Sequence, residues 1–65
     1  MPVIKRYVLL TYNDCNFEFY QLASSDKQAL LFSIRDLEKK LGKMHGSLKK
    51  HFADKNNWEV KLIWT

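Results

Sequence analysis

Three side chains in this sequence are of the types that act as nucleophiles, bases or metal ligands: Cys15, His45 and His51. A nucleophilic cysteine needs a base within reach, a group that orients the base, and a depressed thiol pKa. Cys15 falls in an Asn13-Asp14-Cys15-Asn16 turn, both histidines fall in a later connection, and nothing in the spacing brings them together. His45 and His51 match no common zinc spacing, and one Cys with two His leaves a tetrahedral site one ligand short. The carboxylates Asp14, Glu18, Asp26, Asp36, Glu38, Asp54 and Glu59 are scattered or neighboured by Lys and Arg. Gly42 and Gly46 are the only glycines, too few for a phosphate-cradling loop. We therefore expect no catalytic residue, no metal and no cofactor. The chain reads as a non-enzyme.

Two other chemistries have more support. The net charge of +4 is concentrated late in the chain, with zero net charge across residues 1–22, +1 across 23–42 and +3 across 43–65. Lys39, Lys40, Lys43, Lys49, Lys50 and Lys55, with His45 and His51, form a candidate ridge for phosphate neutralisation. No side chain can be assigned to base-edge reading, and lysines at helix ends more commonly form a solvated face. The second chemistry is contact through exposed apolar and aromatic side chains. Tyr7, Leu9, Tyr20 and Ile63, together with Lys5, Glu18, Leu22 and Lys61, would share one face of a sheet. That mixture suits a protein interface or a homodimer better than a base-stacking platform. Phe32 and Arg35 would lie on the outer side of a helix, where Phe32 is either covered by the later connection, against Phe52, or presented to a partner.

These surfaces need elements to hold them. Ser24 to Gly42 has a start, a period and a stop: Ser25 and Gln28 fit a capping box, and Asp26 complements the N-terminal dipole. Leu30, Ile34, Leu37 and Leu41 form one stripe, Asp36 and Lys40 an i, i+4 ion pair, and Gly42 a C-terminal cap. Val3 to Tyr12 reads as a strand apolar on both faces, with Ile4, Val8, Leu10 and Tyr12 on one and Val3, Tyr7 and Leu9 on the other. Such a strand is usually central. After the turn, Phe17 to Leu22 completes a hairpin, and Trp58 to Thr65 alternates cleanly as a third strand. Between Lys43 and Asn57 the pattern is weak. Residues 47–53 fit a short second helix capped by Ser47, with Leu48 and Phe52 on one side, better than a fourth strand of a β-grasp-like sheet.

The order is β-β-α-β in a single domain spanning residues 1–65. A right-handed crossover favours a three-stranded antiparallel sheet of order 3-1-2, one main helix on one face, in the α+β class. A chain this short buries only about 60% of its unfolded surface, and one cysteine excludes an internal disulfide. The N-terminus lacks a signal-peptide layout, no stretch approaches a membrane span, and the unpaired thiol fits a reducing compartment, so we expect a complete cytoplasmic chain. Four Phe, three Tyr and two Trp argue for a packed fold. The resulting expectation is a small binding protein, an inhibitor or adaptor acting by stoichiometric contact, whose partner is a protein rather than a nucleic acid. Size and the missing site also suit a phage or mobile-element origin. The alternative is a basic nucleic-acid-binding domain using the lysine ridge.

Overall fold

The computed structural model describes residues 3–63. Strand β1 (Ile4–Tyr12) pairs antiparallel with β2 (Cys15–Ala23) on one side and with β3 (Trp58–Leu62) on the other. The sheet order is β2-β1-β3, the expected arrangement with the first strand in the middle. Helix α1 (Asp26–Lys40) packs on one face. Trp64, placed on the core face by its alternation, lies outside the described residues.

The hairpin is tighter than composition suggests. Only Asn13 and Asp14 turn, with φ of 52° and 61°, and Cys15 and Asn16 already belong to β2. A two-residue turn with positive φ at both positions matches the right-handed twist of its strands, and Asn and Asp tolerate that region.

Helix α1 starts at its cap. Ser25 Oγ accepts the Gln28 amide at 3.1 Å. Gln28 Oε1 reaches back to the Ser24 amide at 2.8 Å and the Ser24 hydroxyl at 3.0 Å, one residue earlier than the expected Ser25 amide. At the other end the Gly42 amide donates to Lys39 O and the Lys43 amide to Glu38 O, with Gly42 at φ 69°. That pair of bonds is the Schellman motif, and it satisfies two of the helix's terminal carbonyls.

The core lies between α1 and the sheet. Val8 and Leu10 meet Ala29, Leu30, Ile34 and Leu37, and Phe17, Phe19, Trp58 and Val60 close the sides. Leu41 departs from the expected stripe: it is the C-cap residue and stays exposed. The buried stripe instead takes in Ser33 and Glu38. The i, i+4 pair is also absent among the described residues, because Asp36 accepts from Gln21 Nε2 at 2.7 Å while the Lys40 ammonium lies 5.7 Å from the Phe17 ring centre.

Arg6 sits on the core face of β1, yet it is buried with partners. Its Nε donates to Asp26 Oδ1 at 2.9 Å, and Nη1 donates to the Ala23 and Ile4 carbonyls. One guanidinium thus joins β1, the end of β2 and the first turn of α1. A planar fork of donors suits that task better than a lysine would.

Residues 43–57 form no fourth strand, and the short helix expected near residues 47–53 is present as one 3₁₀ turn at the end of that range. They run as turns into two short 3₁₀ segments, His51–Ala53 and Lys55–Asn57, the second capped by Asp54. Leu48 and Phe52 are buried in the main core, which settles what they pack against.

Two substitutions test this packing. Leu37→Ala should lose about 3 kcal/mol in urea unfolding, a large share of the stability of so small a domain. Ser33 Oγ is buried without a hydrogen-bond partner among the described residues. Ser33→Ala should therefore gain about 1 kcal/mol, since it removes an unsatisfied hydroxyl and improves helix propensity.

Candidate functional site

The expected contact residues divide between two surfaces on opposite sides of the molecule. Tyr7, Leu9 and Tyr20 share the sheet face away from α1, and the Ile63 amide extends that ladder with a 3.0 Å bond to Lys5 O. Tyr7 stands opposite Tyr20 with ring centres 5.5 Å apart, and the Lys5 ammonium lies 5.6 Å from the Tyr20 ring centre. On the next rung Leu9 is flanked by Glu18 and Glu59, and Glu59 lies 3.9 Å from Lys61. Two Lys and two Glu therefore balance in number across this face. Tyr20 is 60% exposed, but the charges around it are mutually compensated and do not form a basic platform.

Phe32 and Arg35 belong to the other surface. At about 100° per residue, Leu31, Arg35 and Glu38 run along the flank of α1 that faces the 43–57 connection. The connection folds back beside that flank. Between them lies a groove of about 310 Å³ lined by Leu31, Phe32, Ile34, Arg35, Glu38, His45, Gly46 and Lys49. It continues toward the helix end in a second lobe of about 280 Å³, bordered by Arg35, Glu38, Lys39, Lys43 and His45. Leu31 is 48% and Phe32 37% exposed. Phe32 lies outside the core cluster that holds Phe52, and it lines the groove with just over a third of its surface open to solvent.

Glu38 makes this groove. Its side chain is 3% exposed, and Oε2 accepts the Leu48 amide at 3.0 Å while Oε1 lies 4.0 Å from His45 Nδ1. A buried carboxylate is tolerated only when its oxygens find donors. The Leu48 amide supplies one, and in doing so it fixes the near wall of the groove. In the sequence Glu38 is one of seven scattered acids, and Leu31 lies off the Leu30-Ile34-Leu37-Leu41 stripe. The i, i+4, i+7 spacing of Leu31, Arg35 and Glu38 was the available signal, but it has meaning only once the connection is known to lie there.

The six lysines of the expected ridge have different surroundings. Lys39, Lys43 and Lys49 border the groove, although the Lys43 ammonium also lies 5.7 Å from the Tyr12 ring centre. Lys40 turns toward Phe17 on the β2 side, and Lys50 and Lys55 are exposed but line neither lobe.

The nucleophile and ligand candidates are spread out. Cys15 is an exposed free thiol, and His45 is exposed at the groove. The fold does bring His51 to the hairpin end, contrary to the separation its sequence position implies. The ring meets Tyr12, the register partner of Cys15, edge-on at 5.0 Å, and Nε2–H donates to the Thr11 carbonyl at 2.8 Å. That bond commits the ring to anchoring the connection. Among the described residues no group of three or more His, Cys, Asp or Glu could hold a metal ion. No helix among them is long and apolar enough to cross a membrane.

The Tyr7 phenol is shifted above the usual tyrosine range, first by desolvation and then by the Glu18 carboxylate, with smaller contributions from Tyr20 and Glu59. A raised phenol pKa favours the neutral side chain in the folded state. Its contribution to stability is present below the ordinary tyrosine range and is lost as pH rises through the shifted value. Ultraviolet titration should show Glu18→Gln bringing the Tyr7 transition down in pH without returning it fully to the ordinary value.

Comparison with protein-family models, curated proteins and solved structures finds no match to this chain.

Proposed function

We propose that this chain is a non-enzymatic binding protein that acts by stoichiometric contact with a protein partner, as an inhibitor or adaptor in the cytoplasm. The observation that carries the reading is the apolar groove beside α1. Leu31 and Phe32 are left open to solvent there while smaller neighbours such as Ala29 are buried. An aromatic and an arginine beside a concave apolar surface have the composition of an interface hot spot.

The open sheet face supports the reading less. Tyr7 and Tyr20 already pack on each other, and the surrounding Lys5, Lys61, Glu18 and Glu59 balance in charge. A nucleic acid would need a continuous positive track. Here Lys40 and Lys43 lie over aromatic rings, and Glu18 and Glu59 interrupt the other face.

The test is capture of partners from a host lysate by the wild-type chain, with Phe32→Ala and Tyr20→Ala alongside. Phe32→Ala should reduce capture of the partner about thirtyfold, the effect of truncating a hot-spot side chain, and leave the melting temperature nearly unchanged. Loss with Tyr20→Ala and none with Phe32→Ala would move the contact to the open sheet. Steeply salt-dependent binding of random-sequence duplex DNA, indifferent to Phe32, would replace the reading with nucleic-acid binding.

A further inference from the structure

We infer that the partner offers an acidic segment, one that seats an apolar side chain against Leu31 and Phe32 and lays its carboxylates along Arg35, Lys39 and Lys49. This rests on the groove being the partner surface and adds the chemistry of what fills it.

Charge complementarity is the first argument. The border of the two lobes supplies Arg35, Lys39, Lys43 and Lys49, with His45 between them. The single carboxylate of the lining, Glu38, is buried and already accepts the Leu48 amide. The border therefore faces solvent as a net positive rim around an apolar floor. An incoming basic or neutral segment would leave those cations uncompensated at a partly desolvated interface, whereas Asp and Glu would meet them with charge-assisted hydrogen bonds.

Size and wall shape supply the second argument. About 310 Å³ is at the small end for a cavity that encloses a whole ligand, and the groove is open along one side. It accommodates one bulky side chain with the rest of its chain lying outside. Gly46 sits in the lining at φ 85°, and a side chain there would meet no other atom within 4 Å. The connection thus presents bare backbone at that point, where another chain can approach closely.

Selection of binders from a random-peptide display library on the intact protein tests the inference directly. Peptides that survive should pair an aromatic or aliphatic residue with flanking Asp or Glu. Their affinity should drop at least tenfold on Phe32→Ser, and again on the Arg35→Glu, Lys49→Glu double reversal. All three positions are exposed, so circular dichroism should show the helix intact in each variant. Binders that depend on Phe32 but carry no acidic excess would overturn the acidic class and leave the groove as the partner surface. Binders indifferent to Phe32, or no binders at all, would overturn both. Selected acidic peptides that the charge reversal fails to weaken would also contradict the inference.

Discussion

The hydrogen bond between the Glu38 carboxylate and the Leu48 amide is the constraint on which the rest of this small fold turns. A charged group removed from water is costly unless donors replace the lost hydration, so this carboxylate and its donor must be brought together or Glu38 must swing out to solvent. Bringing them together places Leu48 and Phe52 in the core and starts the chain on its return to β1. The same segment is held twice more. The Lys43 amide bonds to the Glu38 carbonyl, and His51 bonds to the Thr11 carbonyl at the far end of the connection. The connection, whose regular structure is two short 3₁₀ segments, is thereby fixed without a disulfide or a long helix.

Three sides of α1 do different work as a result. Its apolar stripe meets Val8 and Leu10 of the sheet. One flank meets β2 through the Gln21–Asp36 bond, and the first turn is joined to β1 by Arg6 and Asp26. The remaining flank meets the connection at Glu38, through the Leu48 amide, and the groove lies beside Leu31, Phe32 and Arg35. In a domain of this size a groove lined by two partly exposed apolar side chains gives up burial that stability would otherwise use. The proposal of a binding surface rests on that cost.

The sheet order, the helix and its caps were legible because each has a local signature: strand alternation, capping residues with a 3.6-residue period, and a crossover whose hand is set by sterics. Arg6 and Glu38 were not legible. A charged residue in a strand or helix reads as solvated until the partner that desolvates it is known, and both partners, Ala23 with Asp26 and Leu48, come from other elements. Composition overstated the hairpin turn, since Cys15 and Asn16 resemble turn residues while only Asn13 and Asp14 need positive φ. The outer placement of Phe32 was visible from helical geometry alone. That it lines a groove was not, because the opposite wall is a segment whose weak periodicity, with Leu48 and Phe52 four apart, places a short helical turn but not the path of the chain around it.

The central claim is that the Glu38 carboxylate docks the connection and so builds the groove. Amide hydrogen exchange at Leu48, compared between wild type and Glu38→Ala, tests it most directly. The account predicts that the Leu48 amide is protected in the wild type and exchanges at least tenfold faster in the variant, while the central amides of β1 keep most of their protection. A Leu48 amide that exchanges freely in the wild type, or one equally protected in both, would contradict it.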